Sequence, residues 1–120
     1  MSRFERDTIK RQIQQLGDVL AAIVAGSRGE TNVETGLEAV REAAQNGLGV
    51  DYALLERLAP NSAAMLLRDP DAVEAYARVC THEADLLASA GRADEAAARR
   101  RRAEGLRIEA EGLRIRPTTG

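Results

Sequence analysis

Cys80 and His82 are the only cysteine and the only histidine in the chain, and their proximity suggests a thiol–imidazole pair for nucleophilic catalysis. A helix defeats that arrangement. Two residues apart, the side chains point about 160° away from each other. Cys80 falls on an apolar stripe between Tyr76 and Ala84, where cysteine packs as a small hydrophobe, and His82 then points off the stripe to the surface. Arg99, Arg100, Arg101 and Arg102 form the only dense basic run. Consecutive helical residues fan out over about 300°, so the four cannot aim at one ligand and read as a solvated face or a contact for an acidic partner. A nucleic-acid site would want a larger basic field with aromatics or a docking motif. The carboxylates form no metal-binding constellation. Asp69 and Asp71 flank Pro70 and are explained by helix capping, while Glu34, Glu38 and Glu42 lie four apart along a solvated helical edge. Gly26-Ser27-Arg28-Gly29 follows a helix and lacks the lysine of a phosphate-binding loop. Tyr52 and Tyr76 read as core or rim anchors. The chain is therefore expected to carry no catalytic, metal-binding or cofactor-binding residues and no small-molecule substrate site.

The elements that must position these residues are all helical. Of 120 residues, 22 are alanine, 16 are arginine against one lysine, and only Phe4, Tyr52 and Tyr76 are aromatic. That composition has too many apolar residues for a disordered chain and favours helix over sheet. One cysteine also excludes an intrachain disulfide framework. The N-terminus is charged from Arg3 onward, and the longest apolar run, 19–25, is seven residues, far short of the roughly 20 that span a bilayer. The expectation is a cytoplasmic protein without membrane contact.

Ile9, Ile13, Leu16, Leu20 and Ile23 are spaced 4, 3, 4 and 3 apart, one stripe of a first helix. Gly26, Ser27 and Gly29 end it, and Thr31 with Glu34 forms a capping box for the next. Val33, Leu37, Val40 and Ala44 give that second helix its stripe, closed near Asn46 and Gly47, so the two make an antiparallel hairpin. Asp51 caps a short helix through Leu58, with Val50 and Leu55 as its hydrophobic staple. Pro60 and Asn61 break it, and 63–67 adds a turn or two. Asp69 and Pro70 open a fifth helix as N-cap and first helical residue. Its inner face is Val73, Tyr76, Cys80, Ala84 and Leu87, and Gly91 stops it. A sixth helix carries Asp94 and Glu95 near its positive end and runs to Arg116. The fold class that follows is all-α, a compact bundle of about six helices in which two hairpins are bridged by short helices. It forms one domain over 1–116, with 117–120 frayed.

The segment 84–103 resembles one tetratricopeptide unit: Ala84 is the small residue of the first helix, Gly91 the turn, Asp94-Glu95-Ala96 the start of the second helix and Ala103 its later alanine. Arg100 stands where that family usually has a large apolar residue. The first hairpin echoes the pattern in Gly36 and Ala43. Taken whole, the layout is similar to a bacterial family of short tetratricopeptide-like proteins of unknown function. The resemblance implies a helical interaction module and brings no catalytic residues.

The last helix reads AEGLRI-E-AEGLRI over 103–115, six residues repeated one heptad later. At about 100° per residue, Ala103, Leu106, Ala110 and Leu113 form one stripe and Gly105, Ile108, Gly112 and Ile115 a second on roughly the opposite side. A helix with two apolar stripes has two things to pack against. The alanine–leucine stripe should face the domain, leaving Gly105, Ile108, Gly112 and Ile115, with Arg101 and Arg102, to a partner or a second copy; the bland alternative is a duplication that merely lengthened a surface helix. Residues 92–116 hold eight arginines and five acids, net +3, against nine basic and fourteen acidic residues elsewhere, net −5. The expected function is thus a protein-binding or self-associating adaptor with a taste for acidic partners. The alternative is a nucleic-acid-binding accessory protein using the same arginines. An alanine-rich core this small buries little area per residue, so stability itself calls for a partner or dimer.

Overall fold

The computed structural model describes residues 3–26 and 33–115, with side chains placed over 10–22 and 33–115. Six helices follow in order: α1 (Arg3–Gly26), α2 (Val33–Leu48), α3 (Tyr52–Arg57), α4 (Pro60–Leu67), α5 (Pro70–Ser89) and α6 (Ala93–Ile115). No strand occurs among the described residues, so the chain is an all-α bundle, as its composition and periodicity predict. No described helix is long and apolar enough to cross a membrane. The Thr31 capping box, the turn at Ser27 and Gly29, the side chains of Ile9 and Ile23, Arg116 and the C-terminal tail lie outside the described residues.

Local chemistry explains the boundaries. The Asp51 carboxylate accepts from the Ala53 amide at 3.0 Å and that of Asp69 from the Asp71 amide at 2.8 Å, each satisfying an amide that the first turn leaves free. Pro60 does more than break a helix: it sits at the start of α4, where a missing N–H costs nothing, so α4 begins three residues earlier than the apolar run suggests. Gly91, at φ +78°, closes α5. Its amide donates to the Ala88 carbonyl at 3.0 Å and the Arg92 amide donates to Leu87 at 2.9 Å, the paired bonds of a Schellman ending.

α5 organises the packing. It contacts α1, α2, α4 and α6, so Val73, Tyr76, Cys80, Ala84 and Leu87 are buried as expected, and Ala75, Ala77 and Val79 are buried as well. α1 and α2 form one antiparallel hairpin and α5 and α6 the other. Leu16 and Leu20 of α1 and Leu37, Val40 and Ala44 of α2 meet α5 in a single core. Ala84, Ala96, Ala103 and Ala110 line the α5–α6 contact, all buried.

α2 ends at Leu48, next to the expected close near Asn46 and Gly47, and the left-handed residue of the turn is Gly49, φ +70°. Gly47 has a second role, since α1 comes close there: a Cβ would stand 2.9 Å from Leu16 Cβ. Alanine gains about 1 kcal/mol of helix propensity over glycine, but overpacking costs about 1–3 kcal/mol, and Leu16 Cβ cannot turn aside as a side-chain tip would. Gly47→Ala should therefore lower the urea midpoint; a higher midpoint would mean that the α1–α2 contact is not tight at this point.

Candidate functional site

The polar residues of the bundle converge at one place. Tyr52 and Glu56 lie four apart on α3, Tyr76, Cys80 and Glu83 at four- and three-residue steps on α5, and Arg99 and Arg102 three apart on α6, so each helix presents one face. Capping holds α3 in position, and the Tyr52 amide donates to Gln45 Oε1 of α2 at 2.9 Å.

At the centre is Glu83, whose side chain is 2% exposed. Its Oε1 accepts from an Arg99 terminal nitrogen at 2.6 Å and from the Tyr52 hydroxyl at 3.1 Å. Its Oε2 faces Arg41 Nε at 3.5 Å. The same Arg99 nitrogen lies 3.0 Å from Glu56 Oε1 and 3.4 Å from Cys80 Sγ. Glu56 also accepts from the Tyr76 hydroxyl and faces Arg102 Nε at 3.4 Å. Arg102 bonds the Tyr76 oxygen at 2.8 Å and donates to the Leu55 carbonyl at 2.7 Å, which also accepts the Leu58 amide that closes α3 at 3.1 Å. The two tyrosine rings meet edge to face, 5.7 Å between centroids. The carboxylates of Glu83 and Glu56 face the two largely buried guanidinium groups of Arg99 and Arg102, with the exposed Arg41 a third cation at the edge of the cluster.

This arrangement staples helices together. Burial, reinforced by Glu83 and Glu56, raises the Tyr52 hydroxyl above its ordinary range; burial and the bond to Glu56 do the same for Tyr76. Burial pushes the Cys80 thiol up to about 12, so it is a neutral packing group near pH 7 and not a thiolate. Arg99 Nε is buried with no partner among the described residues. Above the cluster, a cleft of about 270 Å³ opens between α2, α5 and α6. Its rim is closed by Arg92, which bonds Glu34 at 2.5 Å and Glu95 at 2.6 Å.

The arginine run is thereby divided. Arg99 and Arg102 turn inward, Arg100 reaches sideways to Asp85 at 3.3 Å, and Arg101 is exposed with no ion pair among the described residues. The four therefore share no ligand, as their helical fan predicts, and the expected solvated face holds for Arg100 and Arg101, which are exposed, but not for Arg99 and Arg102. Further along α6, Arg107 donates to Thr81 at 3.0 Å and Arg114 to Asp71 and Glu74 at 2.9 and 2.6 Å. His82, expected at the surface, is partly buried, and burial lowers its pKa.

The six residues assigned to a partner surface separate in the same way. Arg102 belongs to the internal cluster. Gly105 lies under α4, where a Cβ would stand 3.1 Å from Pro60 Cγ, so its missing side chain serves packing within the chain. Ile108 and Ile115 are 65% and 71% exposed, Gly112 has nothing within 4 Å of a built Cβ, and Arg101 stands one heptad before Ile108 on the same line. The inner stripe is as predicted, with Ala103, Leu106 and Ala110 buried and Leu113 partly so. The sequence reading missed Glu83 and Glu56. The available signal for Glu83 was a carboxylate three residues after Cys80 and four before Leu87, inside an otherwise apolar face.

Removing one member of a buried pair costs about 3–5 kcal/mol, whereas replacing both with apolar groups is often neutral. Glu83→Ala should lower unfolding free energy by about 3 kcal/mol, and Glu83→Leu with Arg99→Met should recover most of it, both read by urea denaturation. A loss below about 1 kcal/mol for Glu83→Ala would show that the cluster behaves as a solvated surface pair.

Comparison of the chain with protein families, curated proteins and solved structures finds no match.

Proposed function

We propose that this chain is a non-catalytic protein-binding module whose docking surface is the outer face of α6. One observation carries the reading: Ile108 and Ile115 stand exposed one heptad apart, about 10 Å along the helix, beside Gly112, where a built Cβ would meet no described residue within 4 Å. Glycine inside a helix costs about 1 kcal/mol relative to alanine. At Gly105 packing against Pro60 offsets that cost; at Gly112 a partner's close approach would.

The internal pairing of the arginines supports a protein partner over nucleic acid. Phosphate binding needs guanidinium groups free to displace counterions, and Arg92, Arg99, Arg100, Arg102, Arg107 and Arg114 are already engaged within the chain. The same fact removes the preference for acidic partners that the net charge of the last helix suggests. The tetratricopeptide-like resemblance is part of this proposal, and what supports it is the stack itself. α5 rests against both helices of the first hairpin, and Ala84 and Ala103 sit buried where α5 and α6 approach.

Ile108→Glu combined with Ile115→Glu should abolish association, read as solution mass by light scattering and as retention of co-purifying protein. Helicity should be unchanged, because neither side chain is in the core. Mass and retention both equal to those of the unmodified chain would overturn the reading.

A further inference from the structure

We infer that the occupant of the α6 outer face is a second copy of the same chain, docked antiparallel. This rests on the docking surface proposed above and adds its partner, direction and register. At about 100° per residue, Arg101, Ile108 and Ile115 fall on one line at heptad spacing, and Ala97, Glu104 and Glu111 fall beside it at intermediate steps. This is the alternation of a coiled-coil seam. Glu104 and Glu111 are exposed, and neither makes an ion pair with a described residue; Arg101 is in the same state. The seam therefore offers one cation and two carboxylates that no described residue pairs with, interleaved with two exposed isoleucines.

Those charges choose the partner's direction. In a parallel pair of identical helices each seam residue meets its own copy, so Arg101 would face Arg101, Glu104 would face Glu104 and Glu111 would face Glu111. Like charges in direct opposition are unfavourable. In an antiparallel pair the seam positions alternate across the axis. Arg101 then meets Glu111 of the second copy, Ile108 covers the methylene stem of Glu104, and Ile115 covers Ala97. Each layer occurs twice by the two-fold symmetry, as in an isologous dimer. Gly112, one step from this line, leaves room for the backbone of the second helix. Because the seam extends over only about 27 Å of helix, it is smaller than a standard interface, and the dimer should be weak and concentration-dependent.

The test is sedimentation equilibrium of the whole chain across a concentration series, with charge reversals on the seam. The unmodified chain should move from 12.9 kDa toward twice that mass. Arg101→Glu alone and Glu111→Arg alone should each weaken self-association by about tenfold or more. The double variant R101E/E111R should restore it, because the antiparallel pairing is re-formed with its signs exchanged, whereas a parallel pair would remain repelled. A monomer at all concentrations, or a double variant no better than the singles, would overturn the inference. If, in addition, Ile108→Glu with Ile115→Glu still released a different protein, the docking surface itself would stand.

Discussion

A carboxylate withdrawn from water must be given a counter-charge and its hydrogen bonds, or the fold that buries it does not form. Glu83, 2% exposed at the middle of α5, imposes that requirement on its surroundings. Arg99 of α6 and Tyr52 of α3 both serve one of its oxygens, which fixes the rotation of α6 and the seat of α3. Three residues further along, Arg102 repeats the connection through Tyr76, Glu56 and the Leu55 carbonyl. Alanine contacts bring α5 and α6 close, but they are nearly featureless and would tolerate a slip. The charge cluster specifies one register.

That rotation decides what remains at the surface. With Arg99 and Arg102 directed inward and Arg100, Arg107 and Arg114 laid against α5, the opposite side of α6 keeps Arg101, Glu104, Ile108, Glu111 and Ile115. The repeated segment shows how far context overrides identity. Gly105 packs beneath Pro60 while Gly112 meets no described residue. Leu106 is buried while Leu113 is only partly so. Arg107 finds a threonine and Arg114 a pair of acids.

Most elements were legible because their causes are local. Asp51 and Asp69 satisfy neighbouring amides, Gly91 takes a left-handed turn, and the stripes of α1, α2 and α5 follow from helical period alone. Gly47 reads from sequence only as a sign that a helix end is near, which it is; its second role, the close approach of Leu16, depends on the path of α1 and has no local signal. Arg102 was assigned outward and Glu83 not singled out because a charged residue read from sequence is presumed solvated. Their burial depends on α3 lying over α5 and α6, through contacts such as Tyr52 with Glu83, 31 residues apart, and Leu55 with Arg102, 47 apart. Gly105 and Gly112 are identical in sequence environment, so nothing local could separate them.

The claim on which the rest stands is that Arg99 and Arg102 face the core while Arg101 faces outward. Solvent exchange of the individual arginine Nε protons, followed by nuclear magnetic resonance at concentrations too low for self-association, tests it directly. Slow exchange at Arg99 and Arg102 with fast exchange at Arg101 is the expected result. Equal rates at the three positions, or protection at Arg101 alone, would contradict the account.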